Sequence, residues 1–143
     1  LDHRAPDFAA QLKAAAPDGI DVYFENVGGD VQAAVLPLLN DFARMPVCGL
    51  IAWYNATQLP EGPDRVPGLM RMILTKRLHI QGFIVFDRNS RYRDFYRDMT
   101  GWLAEGKIIT REDVVEGLAQ APAAFMGLLD GKNFGKLLVK VAE

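Results

Sequence analysis

The sequence predicts an α/β protein built on a parallel sheet, and three observations carry that prediction. Short apolar runs with few charges recur between residues 20 and 86. Segments with helical spacing of apolar residues separate those runs. After Lys107 the pattern changes to short alternating strands around one brief helix. Strands divided by helices need crossover connections, and these produce a parallel sheet covered on both faces.

Each element has its own warrant. Pro6 and Asp7 mark a helix start, because proline suits the first helical position and an acid suits the positive end of the helix dipole. Phe8 and Leu12 share one face of that helix, and "APDG" (residues 16–19) stops it. "IDVYFENV" (residues 20–27) reads as a strand, followed by a Gly28–Gly29–Asp30 turn in which Asp30 is a candidate N-cap. Val31, Ala34, Val35, Leu38 and Leu39 then form a helical stripe that faces the core, with Pro37 expected to bend or shorten it. "ARMPVCGLI" is the second strand. A long loop, "NATQLPEGPDRVPG", leads to a stripe of Val66, Leu69, Met70, Ile73 and Leu74 closed by Lys76 and Arg77. "LHIQGFIVF" (residues 78–86) carries too few charges for a half-exposed strand. Asn89 or Ser90 then caps a helix bearing Tyr92, Phe95, Tyr96, Met99, Trp102 and Leu103, which ends at Gly106.

Three such strands make half of a doubly wound nucleotide-binding sheet. No "GxGxxG" turn occurs, and the chain opens "LDHRAPDF" without Met and reaches its first element at once. It therefore reads as a fragment. Beyond Gly106, "KIITREDVVEGL", a helix over residues 122–129 and "GKLLVKV" read as a short β-α-β tail. The expected division is residues 1–106 and 107–143.

Composition narrows the function. Half of the 143 residues are hydrophobic, 24% are charged, and the formal net charge is −2. That excludes the basic excess of a nucleic-acid binder. No apolar run approaches the roughly 20 residues of a membrane span, and the opening residues do not read as a signal peptide. Cys48 is the single cysteine, so there is no internal disulfide and nothing suggests secretion. A cytoplasmic enzyme part fits this composition best.

Ligands of open parallel sheets bind beyond the carboxyl ends of the strands. Here those ends are "FENVGG", "CGLIAWYN" and "GFIVFD". Asn26 could bond a ribose or carboxamide, or could simply form the turn before two glycines. Cys48 is more readily a small buried hydrophobe than a nucleophile. Gly49 interrupts a strand, which can mark close approach of a ligand. Tyr54 offers a hydroxyl to a developing oxyanion, or else packs under the long loop. Trp53 reads as packing. His3 and His79 lie far apart in sequence and one cysteine makes no usual zinc site, so no metal ligands are assigned. No serine occupies a G-x-S-x-G elbow. The charges from Arg88 to Asp98 read as a solvated helix face.

Taken in order and spacing, "GIDVYFENVGGD", "VCGLIAWYN", "GFIVFD" and "AFMGLLDGKNFGK" resemble the zinc-independent medium-chain dehydrogenase/reductases. The branch they resemble holds the prostaglandin and leukotriene reductases, curcumin reductases and alkenal double-bond reductases. The likeness covers nearly the whole chain but only the C-terminal part of such an enzyme. It implies the second half of an NADP-binding Rossmann domain, followed by the last segment of a GroES-like catalytic domain. It also implies reduction by NADP(H) of the C=C bond of an enone or alkenal, with a homodimer expected around "LHIQGFIVF". The isolated chain would be inactive. By the same resemblance Asn26, Cys48, Gly49, Leu50, Ile51 and Tyr54 contact the cofactor. Phe83, Ile84 and Val85 would lie against the nicotinamide, with backbone groups free to bond its carboxamide. Asn133 and Gly135 reach the cofactor from the C-terminal loop, and Tyr54 stands nearest the reacting carbonyl. The alternatives are a quinone reductase of the same superfamily and a non-catalytic half-domain that senses nucleotide or dimerises.

Overall fold

The structure is a computed structural model that describes residues 1–58 and 60–142. It comprises two compact units, Leu1–Asn89 and Ser90–Glu143. This division falls before the helix bearing Tyr92, earlier in the chain than the boundary expected at residue 106. Gly106 and Lys107 donate their amides back to Leu103 and Trp102, which closes that helix at its C-terminal end.

In the first unit, helix α1 (Phe8–Ala15) precedes β1 (Ile20–Val22), α2 (Gly29–Val35), β2 (Leu39–Val47), α3 (Val66–Lys76) and β3 (His79–Gly82). The strands pair in parallel in the order β1-β2-β3. This is the α/β arrangement expected of the second half of a doubly wound sheet. Asp7 is the N-cap of α1, one residue later than the Pro6 start. Gly28, rather than Asp30, occupies the N-cap of α2. Pro37 shortens α2 as expected: the helix ends at Val35 and tightens into a 3-10 turn, Leu36–Leu38. Pro lacks the N–H that would continue the α pattern.

Both flanking strands are shorter than the apolar runs that encode them. β1 stops at Val22, and its line continues only through the Tyr23 amide bonded to Arg44 O and a parallel bridge between Glu25 and Val47. The register shifts between Ile20 and Val22, opposite the stretch of β2 where Phe42 has φ 63°. An extra-residue bulge of this kind bends the strand and raises its twist. The Arg77 guanidinium covers the Phe42 ring at 4.4 Å and pairs with Asp41.

β3 ends at Gly82, and Ile84, Val85 and Phe86 lie exposed beyond it in a 3-10 turn, Val85–Arg91. The expectation that residues 78–86 form one buried strand is thus corrected. Ladder pairing with β2 ends where Val47 meets Gly82; of that run Leu78 is buried in the core and Ile80 packs against it. The core itself is Val35, Leu39, Ala43 and Leu78, with Leu12, Val31, Met72 and Ile73 packed against it. Of the stripe expected on α3, Ile73 faces inward whereas Met70 and Leu74 are exposed.

The second unit holds α4 (Tyr92–Ala104), β4 (Glu112–Glu116), α5 (Ala121–Leu129) and β5 (Lys136–Lys140). β4 and β5 pair in parallel, with α5 as their crossover. The cap of α4 is Arg91, because the preceding 3-10 turn displaces the start from Asn89 and Ser90. Arg97 pairs with Asp94 and Asp98 on the solvated face expected of that helix.

Candidate functional site

The carboxyl ends of β2 and β3 in the first unit line one groove. Val47, Cys48, Gly49, Leu50 and Tyr54 line it from the β2 side, and Gly82, Phe83, Ile84 and Asp87 from the β3 side. It is a wide, largely apolar opening of about 510 Å³.

Three sequence-predicted residues meet at its edge. A Cβ placed on Gly49 would lie 2.7 Å from Asn26 Oδ1 and 2.9 Å from Tyr54 Oη. An amide oxygen and a phenol therefore pack directly onto Gly49, where any larger residue would push them aside. The backbone holds this arrangement from both sides. Cys48 and Gly49 donate their amides to Glu25 O at 2.8 and 3.2 Å, while Ile51 donates to Asn26 O at 3.3 Å. Ala52 donates to Val27 O at 2.9 Å, which ties the 3-10 turn Ile51–Trp53 to the glycine turn. Trp53 packs, as expected, with its ring edge 3.3 Å from where a Gly28 Cβ would stand.

Cys48 departs from expectation. It is exposed rather than buried, because it follows the last ladder residue of β2 and opens onto the groove. Ile51 and Val85 flank the site and are not among the groove-lining residues. On the β3 side, the Phe83 amide is bonded to Val47 O at 3.2 Å and the Ile84 amide to Asp87 Oδ2 at 2.9 Å. Those two donors are already satisfied within the chain, so the expected backbone bonds to a carboxamide do not come from them as they stand.

Glu25 was not singled out by sequence reasoning. It is fully buried, and its Oε1 accepts the amides of Val27 and Gly28, each at 2.8 Å. Its Oε2 and the hydroxyl of Tyr23 are buried without a hydrogen-bond partner. Burial, followed by the neighbouring Glu25 carboxylate, raises the Tyr23 phenol above its ordinary range. The available signal was an acid inside an otherwise apolar strand end, "VYFENV".

The predicted residues Asn133 and Gly135 belong to the second unit. There Asn133 Nδ2 donates to Gly135 O at 2.8 Å, and Asp113 Oδ2 accepts the amides of Phe134 and Gly135 at 2.7 and 2.8 Å. The Arg111 guanidinium lies 4.1 Å from the centre of the exposed Phe134 ring. Among the described residues no group of three His, Cys, Asp or Glu side chains could hold a metal ion. No described helix is long and apolar enough to cross a membrane.

Comparison with known proteins gives the arrangement its context. A family model described as "Zinc-binding dehydrogenase" matches residues 1–139. An NADPH-dependent curcumin reductase of Escherichia coli (strain K12) is 57% identical over 99% of this chain and 41% of its own length. Prostaglandin reductase 1 of Bos taurus is 44% identical over 90% of the chain and 38% of its own length. A 2-alkenal reductase (NADP(+)-dependent) of Nicotiana tabacum is 41% identical over 96% of the chain and 38% of its own length. The crystal structure of CurA from Vibrio vulnificus in complex with NADPH superposes with a TM-score of 0.94. It is 59% identical and covers all of this chain and 43% of its own. The chain thus spans about two-fifths of the length of these relatives. By fold, by matched length and by these relatives, the chain belongs to the zinc-binding dehydrogenase family, in the zinc-independent branch of the curcumin, prostaglandin and alkenal reductases.

Proposed function

We infer that this chain supplies one wall of the nicotinamide site in an NADPH-dependent reductase of conjugated C=C bonds, acting on an enone or alkenal. The observation that carries this reading is the convergence of Asn26 and Tyr54 on Gly49, beside a groove at the carboxyl edge of a parallel sheet. The groove beside Gly49 fits a flat ring: mostly apolar residues line it, and Tyr54 adds a phenol to that lining. When bound, NADPH supplies the hydride that adds to the β carbon of the acceptor.

The residues of this chain do the rest of the work assigned to this wall. The Asn26 amide bonds a polar edge of the cofactor, and the backbone from Cys48 to Ile51 holds that edge in register. Ile84 and Val85 offer apolar surface, with Phe83 beside them. Tyr54 presents a phenol hydroxyl that donates to the oxygen on which enolate charge develops. In the second unit, taken by itself, Asn133 and Gly135 are assigned as cofactor contacts. Relatives named for NADPH-dependent reduction of curcumin and of 2-alkenals support this reading.

The same reading makes the working enzyme longer than this chain, with the chain inactive by itself. It also makes the enzyme cytoplasmic and dimeric, with the second copy meeting the segment of residues 78–86 at the exposed Phe86.

Tyr54→Phe in the full-length enzyme tests the central role. Loss of one well-placed oxyanion donor should lower kcat on a 2-alkenal by about 10²–10³-fold, with little change in NADPH affinity. Unchanged turnover would remove Tyr54 from the reaction. A quinone assayed in parallel separates double-bond reduction from quinone reduction.

A further inference from the structure

Glu25 makes an unusual set of bonds for a residue that never reaches the groove. Its backbone amide donates to Pro46 O, and its carbonyl accepts from both Cys48 and Gly49. Its carboxylate holds the amides of Val27 and Gly28. One residue therefore ties the glycine turn on one side of Asn26 to the end of β2 that carries Gly49. A fully buried carboxylate with no cationic partner is expensive to keep, because burial disfavours charge unless hydrogen bonds compensate. Here two amides compensate at Oε1, and the carboxylate stands next to the buried hydroxyl of Tyr23. Tyr23 and Glu25 stand two residues apart on an extended segment, so their side chains share a face. A structural role alone would be served by an apolar residue at position 25 and the backbone pairing of its neighbours. The acid adds one thing, a fixed geometry for the turn that presents Asn26.

We propose that Glu25 is a positioning residue of the nicotinamide site, whose buried carboxylate clamps the Val27–Gly28 turn and thereby sets the Asn26 amide against Gly49 and Tyr54. Tyr23 closes the clamp from behind. This rests on the proposed function, since the consequence of the clamp is read in hydride transfer. Glu25 touches neither substrate nor cofactor, and it acts through Asn26.

The test uses two variants of the full-length enzyme. Glu25→Met keeps similar bulk and removes both acceptors. Glu25→Gln keeps one acceptor oxygen for the two amides and presents an amide to Tyr23. Single-turnover hydride transfer to a 2-alkenal is measured at saturating NADPH, beside NADPH affinity by fluorescence and thermal stability. Glu25→Met should slow hydride transfer at least about 10-fold while NADPH affinity moves less than about 3-fold, because the distant parts of the cofactor do not feel the turn. Glu25→Gln should recover most of the lost rate. A folded Glu25→Met enzyme with wild-type hydride transfer would overturn the proposal, whatever its melting temperature. Should Glu25→Met not fold, Glu25→Gln decides: a rate within about 3-fold of wild type supports the clamp, and a slower one assigns the requirement to charge and overturns it. Wild-type turnover is the control. If it is absent, the proposed function fails; if it is present beside an unimpaired Glu25→Met, only the clamp fails.

Discussion

The two units use the same local device in different surroundings. In the first, Glu25 Oε1 holds two consecutive amides, Val27 and Gly28, next to Asn26. In the second, Asp113 Oδ2 holds two consecutive amides, Phe134 and Gly135, next to Asn133. Each clamp fixes a loop that carries an asparagine proposed to meet the cofactor. Glu25 is fully buried behind its loop, whereas Asp113 is only partly buried and stands beside Arg111. A carboxylate holding two amides is thus sufficient to shape such a loop. Its surroundings decide whether the loop is fixed permanently or responds to solution conditions.

The glycines of the two loops sharpen that contrast, and Gly49→Ala should have the larger effect on activity. Its Cβ would meet the side chains of Asn26 and Tyr54, which can rotate away. Folding should survive, but both polar groups would be displaced from their places against Gly49. A misplacement near 1 Å at a reacting centre lowers rate by about 10²-fold. A fall of that order in kcat/KM, with melting nearly unchanged, is the expected result. Wild-type activity in Gly49→Ala would show that the groove beside Gly49 is not where the nicotinamide binds.

Gly135→Ala should do the reverse. Its Cβ would lie 2.4 Å from Arg111 O and 2.9 Å from Glu112 N, backbone atoms held in the β4–β5 ladder. Backbone cannot rotate aside, so the added methyl forces the strands apart. Overpacking of this kind destabilises by about 1–3 kcal/mol. Thermal or urea denaturation of the full-length enzyme checks it. A stability loss at Gly135 and an activity loss at Gly49 would together separate a structural glycine from a binding one.

The fold and the residues proposed for the site were legible in the sequence through different signals. Helical stripes and apolar runs showed the α/β order, and Pro37 marked where α2 tightens. They overstated strand length, because residues 83–86 are as apolar as a strand and yet turn away once β2 ends at Val47. Apolar character reports burial in some context, not pairing with a neighbour. Asn26, Gly49 and Tyr54 were visible because each is anomalous at a strand end. Glu25, Asp87 and Asp113 were not, since a carboxylate that holds backbone amides looks in sequence like any other acid. Their roles depend on which amides the fold brings within reach.

The last and smallest effect should be pH dependence in the second unit. The Gly135 amide first, and the Phe134 amide second, hold the Asp113 carboxyl below its ordinary 3.8. A carboxyl whose pKa is depressed by folding binds fewer protons in the folded state than in the unfolded one over the window between the two values. The clamp's contribution is therefore fully present above about pH 4, where both states are ionised. It is lost as the pH falls through the folded value. Between pH 8 and 5 the loop around Asn133 should not change. In stronger acid the Phe134 and Gly135 amides should exchange faster, ahead of global unfolding. Asp113→Asn should bring that behaviour to neutral pH, because a neutral amide accepts the same bonds more weakly than a carboxylate. Amide exchange at those two residues, followed by acid titration of the wild type and at pH 7 in the variant, measures both. If the variant's loop is as protected at pH 7 as the wild type's, the Asp113 charge is not what holds it. The grip of Asn133 Nδ2 on Gly135 O would then be sufficient by itself.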